Sequence, residues 1–259
     1  VLDEQAANQR IAYTENRFGL RDRDYPTPKP DERLRLLILG DSFTHGTGVR
    51  EDDLVFPELL ERELDRMAWP GKSGVDVLNG GLSGSLTQQW LRLWRKVADD
   101  FDPDAVLIVF FLRDGTRLSS AGYFEELGSL IDRSQEQSVL YEHSYLYRTL
   151  RDLRIRREIL TAYHGGFDRA YLGSEEETRP WQRAQKRLLD LRDQARARGI
   201  PIGFAVFPLL VELNEGYPFQ AVVDELVAFG RESGMPTHDL LPAFLGQQAP
   251  ALWVSREDQ

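Results

Sequence analysis

The sequence predicts an α/β protein in which a parallel sheet is flanked by helices, and two observations carry this prediction. Short, almost continuously apolar runs recur along the chain, as expected for strands that are buried on both faces. Between them lie longer segments whose apolar residues follow helical spacing. Strands that alternate with helices favour parallel pairing through right-handed crossovers.

Five strands and four connecting helices can be placed from these patterns. The predicted strands run from Leu34 to Leu39, Val75 to Asn79, Ala105 to Leu112, Ile202 to Phe207 and Pro236 to Leu240. The predicted helices begin near Phe56, Thr87, Pro180 and Pro218, and glycine or proline follows most of them. The sheet is therefore expected to hold five strands.

Two segments depart from this alternation. Residues 1–33 are polar, and the prolines between Tyr25 and Pro30 favour an extended lead-in. Residues 34–259 are expected to form one domain, with an insertion at about 115–178 that partly covers the active site. An arginine-rich helix in this insertion is predicted to end near Tyr163 to Gly166.

Composition and charge exclude several kinds of function. The formal net charge is -10, which argues against a general nucleic-acid binder, because phosphate contacts need a concentrated basic surface. The chain has no cysteine, so it has no disulfide, thiolate metal site or cysteine nucleophile. No apolar run approaches the roughly 20 residues that span a bilayer.

Three short polar segments follow predicted strands, at 40–48, 80–84 and 112–116. In open parallel sheets the functional groups gather beyond the carboxyl ends of the strands, so these segments are expected to meet. The first is not a phosphate-binding loop, because Gly48 is followed by Val49-Arg50 rather than by Lys and Ser or Thr. It instead presents Ser42 at the turn into a helix, where backbone N–H groups stabilise developing negative charge.

Gly40-Asp41-Ser42 after an apolar strand resembles the first block of the SGNH/GDSL-type hydrolases. The resemblance extends from about residue 34 to the end of the chain. It implies that Ser42 is the nucleophile and that no metal or organic cofactor is needed. It also implies a three-layer α/β/α sandwich around a mainly parallel five-stranded sheet, the flavodoxin-like SGNH fold.

The next two blocks of the family match less closely. Asn79 to Gly84 resembles the second block, whose glycine donates an N–H to the oxyanion; Gly84 is the best match, and Gly81 is the alternative. In the third block, Arg113 stands where the family has its oxyanion asparagine. Three roles remain open for Arg113: stabilising the oxyanion, binding a substrate carboxylate or phosphate, or pointing away from the site.

The last block of the family pairs an acidic residue with the catalytic histidine. Asp258 resembles the residue that orients this histidine, with Glu257 as the alternative, and we expect the histidine itself to follow Gln259. None of the four histidines, His45, His143, His164 and His238, lies in that context. His45 is expected to be an exposed loop residue and His238 a partly buried structural one.

The resemblance therefore implies an esterase or deacetylase that works through an acyl-enzyme on Ser42, inactive where its histidine is absent. Two alternatives remain: an O-acyltransferase that modifies a carbohydrate, and a catalytically inactive module that binds a ligand or polysaccharide. The expected substrate is a small-molecule or carbohydrate ester. Asn16 to Arg21 resembles the lead-in of members with an N-terminal anchor or export signal, and the chain begins at Val1. We thus expect an upstream signal or membrane anchor and an extracytoplasmic location.

Overall fold

A five-stranded, all-parallel sheet forms the centre of the protein. The computed structural model describes residues 12–116 and 145–253. The strands are β1 (Arg33–Gly40), β2 (Gly74–Gly81), β3 (Ala105–Phe111), β4 (Ile202–Phe207) and β5 (Thr237–Asp239). Their order is β2-β1-β3-β4-β5, and every neighbouring pair is parallel. This is the flavodoxin-like order, so the predicted sheet is confirmed.

Helices cover both faces of this sheet, which confirms the three-layer architecture. They are α1 (Ser42–His45), α2 (Phe56–Asp65), α3 (Thr87–Phe101), α4 (Tyr145–Leu172), α5 (Arg179–Ala197), α6 (Gln220–Glu232), α7 (Leu241–Phe244) and α8 (Ala249–Leu252). Leu37 and Leu39 of β1 point into the larger core, which also holds side chains of α3, α4, α5 and α6. Ile38 points to the opposite face, where α2 packs through Phe56 and Leu60. The alternation follows from the two-residue repeat of a strand.

The helix α4 is longer than the sequence predicts. The expected end near Tyr163 to Gly166 is wrong, because the helix continues to Leu172. Phe167 and Tyr171 are buried in the larger core, and this packing outweighs the roughly 1 kcal/mol that each helical glycine costs. No helix in the described ranges is long and apolar enough to cross a membrane. Residues 117–144 of the expected cover lie outside those ranges.

The N-terminal residues and α2 together cover the free edge of β2. The hydroxyl of Tyr25 donates to the carbonyl of Val77 at 2.7 Å, and the carboxylate of Asp22 accepts the N–H of Asn79 at 2.8 Å. From α2, Glu61 accepts the N–H of Val77 at 2.7 Å. Side chains thus satisfy the outward backbone groups of an edge strand that would otherwise be open to pairing with another chain.

Candidate active site

The segments expected to meet lie at the carboxyl end of the sheet, on either side of the boundary between β1 and β3. The chain leaves β1 toward Ser42 and returns through β2, whereas it leaves β3 through Arg113 toward β4. Neighbouring strands whose connections run in opposite directions leave a crevice between them, and open α/β sheets bind ligands there. Ser42 and Arg113 therefore flank the crevice that this topology creates.

Ser42 begins the short helix α1, and the backbone around it is held on both sides. The carboxylate of Asp41 accepts the N–H of Phe43 at 2.9 Å, which caps the helix. The carbonyl of Ser42 accepts the N–H groups of Gly46 and Thr47, each at 3.0 Å. The half-buried side chain of Ser42 has no hydrogen-bond partner among the described residues, so its hydroxyl is available to another group.

The end of β2 packs directly against α1. A Cβ at Gly81 would lie 2.1 Å from the backbone nitrogen of His45, so only glycine fits there. The N–H of Gly81 donates to the side-chain oxygen of Asn79 at 3.0 Å. The N–H of Leu82 donates to the carbonyl of Gly40 at 3.1 Å. The second block is thereby fixed against the residues that lead into Ser42.

Gly84 lies in the turn that follows. Its φ of +70° belongs to the left-handed region that favours glycine, and the N–H of Ser85 closes the turn onto the carbonyl of Leu82 at 3.1 Å. Gly84 is exposed, and its N–H donates to no group in the described residues. Of the two glycines considered for the oxyanion, Gly84 has the N–H that is free within the described ranges, whereas the N–H of Gly81 donates to the side chain of Asn79.

Ser85 joins this turn to the core. Its hydroxyl accepts the indole N–H of the fully buried Trp90 at 2.8 Å and lies 3.4 Å from the carbonyl of Gly40. A buried indole N–H needs an acceptor, and Ser85 supplies one. The loop after β2 is consequently anchored both to α3 and to the end of β1.

Arg113 lies in the 3-10 turn Leu112–Gly115 that follows β3. Its guanidinium carbon is 4.8 Å from the ring centroid of Phe111, and the side chain is half-buried. Arg113 makes no ion pair within the described ranges, yet its charge lowers the pKa of Asp41 and of Asp114. The guanidinium therefore acts electrostatically on the turn that carries Ser42.

Asp41 and Asp114 brace the two loops through backbone hydrogen bonds. Asp114 accepts the N–H of Phe111 at 2.8 Å. Burial raises the pKa of Asp41 to about 6, while the N–H of Phe43 and the charge of Arg113 lower it. Burial and the charge of Asp41 raise the pKa of Asp114 well above its usual range.

The described histidines do not complete a catalytic pair. His45 is half-buried in α1, not exposed in a loop as expected, because Tyr13 packs edge-on against its ring at 5.2 Å. His238 is exposed on the edge strand β5, so the expectation that it is partly buried is wrong. His164 packs edge-on against Phe219 at 4.9 Å. Among residues 12–116 and 145–253, no histidine pairs with a carboxylate, and Asp258, Glu257 and His143 lie outside them.

Sequence reasoning missed an aromatic cluster beside Ser42. The ring of Phe43 lies 4.4 Å from that of Phe111 and 5.0 Å from that of Phe207, and Phe207 contacts Phe244 at 5.3 Å. Phe43, Phe207 and Phe244 remain partly exposed. The position of Phe43 directly after the serine was the only signal in the sequence, because its partners come from distant strands and helices.

A comparison with protein families supports the resemblance that the blocks suggest. The sequence model of the GDSL-like Lipase/Acylhydrolase family matches residues 38–150. The structure of TesA is similar at 15% identity with a TM-score of 0.46, covering 83% of each chain. A variant of Axe2, an acetylxylan esterase from Geobacillus stearothermophilus, is similar at 16% identity with a TM-score of 0.43, covering 82% of this chain and 78% of that one. A search among curated proteins found no match.

Proposed function

We propose that this protein is an ester hydrolase whose nucleophile is Ser42. The proposal starts from the match of residues 38–150 to the GDSL-like Lipase/Acylhydrolase family. One observation carries the proposal. The hydroxyl of Ser42, which bonds to no other group in the described residues, lies at the crevice between β1 and β3. The neighbouring loops carry the N–H of Gly84, likewise unbonded within that part of the chain, and the cation of Arg113. A nucleophile beside donors for an oxyanion is the arrangement that acyl transfer requires.

In the proposed reaction, the Oγ of Ser42 attacks the ester carbonyl as a general base removes its proton. The tetrahedral intermediate collapses, the C–O bond to the alcohol breaks, and the base returns the proton to the departing alcohol. Water then attacks the acyl-enzyme, assisted by the same base, and releases the acid and free Ser42. Water and ester are consumed, and acid and alcohol are formed.

The oxyanion is assigned to the N–H of Gly84 together with Arg113. Gly84 supports this role because its N–H is uncommitted and exposed. The N–H of Ser42 is the other donor that the family resemblance implies, but it also stabilises the carboxylate of Asp41. We therefore assign to Arg113 the part that asparagine has in relatives, with a full positive charge in place of a neutral amide.

The general base is assigned to a histidine oriented by Asp258. The last described residue, Trp253, supports this assignment, because its indole N–H donates to the carbonyl of Leu210 at 2.7 Å. Leu210 lies three residues after the end of β4, at the carboxyl end of the sheet, where Ser42 also lies. Asp258 follows Trp253 by five positions, a stretch that can extend about 17 Å, so the chain has the length to return to the crevice.

The proposal is tested by short-chain p-nitrophenyl ester hydrolysis in the natural full-length protein. Ser42→Ala is expected to abolish turnover. Ser83→Ala is the matched control, because Ser83 is an exposed serine on the neighbouring loop, 3.3 Å from the hydroxyl of Thr47. Its turnover is expected to match that of the unaltered protein. Equal rates for the Ser42 and Ser83 variants would overturn the assignment.

The same assay separates hydrolysis from its alternatives. A carbohydrate acceptor that receives the acyl group in competition with water would identify an O-acyltransferase that uses the same Ser42. Binding of a polysaccharide without turnover, unchanged by Ser42→Ala, would identify an inactive binding module. We expect hydrolysis of small-molecule or carbohydrate esters, with the acyl group facing Phe43 and Phe207.

A further inference from the structure

The segment from Asn16 to Asp22, here called the 16–22 turn, forms a compact turn outside the sheet. The side-chain oxygen of Asn16 accepts the N–H groups of Phe18 and Leu20 at 3.0 and 3.2 Å. Gly19, with a φ of +76°, donates its N–H to the carbonyl of Asn16 at 2.8 Å. Asn16 is buried, so these bonds are shielded from water and fix the direction in which Arg21 leaves the turn.

Arg21 reaches from this turn into the loop that follows the nucleophile. Its side chain is only 2% exposed, and it donates to the carbonyls of Gly46 at 2.6 Å and Val49 at 2.8 Å. Its Nε donates to Asp52 at 2.9 Å. All three acceptors belong to the segment that joins α1 to α2, so one planar guanidinium holds three points of this segment.

The contact with Gly46 leads directly to Ser42. The carbonyl of Gly46 accepts from Arg21 at 2.6 Å, and the N–H of Thr47, which belongs to the same peptide unit, donates to the carbonyl of Ser42 at 3.0 Å. Hydrogen bonds arranged in such a series polarise and strengthen each other. The position of Ser42 is thus linked through one peptide unit to a buried cation.

The adjacent residue of the turn holds the second loop of the site. The carboxylate of Asp22 accepts the N–H of Asn79 at 2.8 Å, and the side chain of Asn79 accepts the N–H of Gly81 at 3.0 Å. Gly81 in turn packs against the backbone of His45 in α1. Two successive residues of the 16–22 turn therefore hold the segments that carry the nucleophile and the oxyanion glycine.

We infer that the 16–22 turn is a positioning element of the active site. Arg21 positions Ser42, and Asp22 positions the second block, Asn79 to Gly84. Neither residue touches the reacting atoms; both act through the backbone. This inference rests on the proposed function, because it assumes that Ser42 is the nucleophile. Displacing a nucleophile by about 1 Å can reduce turnover about 100-fold without weakening substrate binding equally.

The test compares Arg21→Ala with Lys29→Ala in the natural full-length protein. Lys29 is a matched control, because it is another mostly buried cation of the N-terminal segment. It pairs with Asp104 at 2.9 Å, just before β3 and therefore at the opposite end of the sheet from Ser42. Arg21→Ala is expected to lower kcat about 10- to 100-fold with KM changed less than about threefold. Lys29→Ala is expected to keep kcat within about twofold of the unaltered protein.

Hydrogen exchange supplies a readout that does not depend on activity. The amides of Gly46 and Thr47, which donate to Ser42, are expected to exchange faster in Arg21→Ala and at the original rate in Lys29→Ala. Arg21→Lys is expected to give intermediate kcat and exchange, because an ammonium cannot make all three contacts. If Arg21→Ala does not fold, unaltered kcat and exchange in Arg21→Lys would overturn the inference.

The outcomes separate this inference from the proposed function. If Ser42→Ala abolishes turnover while Arg21→Ala retains full kcat, the positioning role is refuted and the nucleophile stands. If Arg21→Ala and Lys29→Ala lose kcat equally, the effect is general stability and the inference also fails. If Ser42→Ala stays active, the proposed nucleophile is refuted, and with it the catalytic role of the turn.

Discussion

Burial and the negative charge of Asp41 both raise the pKa of Asp114, so two buried carboxyl groups interact at the end of the sheet that carries Ser42. Each also accepts a backbone N–H, from Phe43 and from Phe111 respectively. Arg113 lowers the pKa of both. Removal of the charge of Arg113 is therefore expected to raise the pKa of both carboxyl groups.

Asp41→Asn is expected to gain stability relative to the unaltered protein as the pH rises. Burial raises the folded-state pKa of Asp41 from 3.8 to about 6, so its ionisation costs the folded state stability between these values. Asparagine keeps the cap and does not ionise. The difference in unfolding free energy between variant and unaltered protein should grow by up to about 3 kcal/mol from pH 4 to 7, measured by urea denaturation. A difference that does not vary with pH would contradict this.

Arg113→Ala is expected to lower kcat about 100- to 1000-fold, the usual effect of losing one oxyanion donor. Arg113→Asn is expected to retain more activity than Arg113→Ala, because asparagine still donates a hydrogen bond. Ester hydrolysis at saturating substrate measures both. Unaltered kcat in Arg113→Ala would show that the guanidinium takes no part in the reaction.

Gly84→Ala is expected to lose activity, and Gly71→Ala is its matched control. Both glycines have positive φ, +70° and +74°, and a Cβ at either would meet nothing within 4 Å. Each alanine should cost about 1–2 kcal/mol of stability, because the left-handed region is strained for L-residues. Only the change at Gly84 should lower kcat, since it moves the N–H assigned to the oxyanion. Equal kcat in the two variants would exclude Gly84 from that role.

Ser85→Ala is expected to lower the free energy of unfolding by about 1–3 kcal/mol, because it leaves the buried indole N–H of Trp90 without its acceptor. Ser83→Ala, which removes an exposed hydroxyl two residues away, should change stability by less than about 0.5 kcal/mol. Denaturant unfolding of the two variants provides the comparison. Similar losses would mean that the Ser85 bond contributes little.

The sheet and its crevice could be predicted from the sequence because local signals agree with the tertiary structure. The apolar runs ending at Gly40 and Phe111 are buried on both faces and occur where the strands were expected. The end of α4 could not be predicted, because Gly165 argues locally for a helix end. The burial of Phe167, which depends on distant side chains, overrides that local preference.

The candidate site, like the fold, could be predicted from the sequence only in part. Ser42, Gly84 and Arg113 were predicted from the family resemblance of segments that follow predicted strands. The contacts of Arg21 could not be predicted, because its acceptors Gly46 and Val49 lie 25 and 28 residues further along the chain. An arginine in a polar lead-in resembles a solvated one until the fold brings these carbonyls to it. Long-range hydrogen bonds of this kind leave no periodic pattern in a sequence.

The most direct test of the central claim is to trap the acyl-enzyme. The natural full-length protein would be mixed with a p-nitrophenyl ester, quenched in acid during the burst and digested, and the acylated peptide mapped by mass spectrometry. We expect the acyl group on Ser42, in the peptide that contains Asp41 and Phe43, and no adduct there in Ser42→Ala. An acyl group on another residue, or turnover with no adduct in the presence of an intact Ser42, would contradict the account.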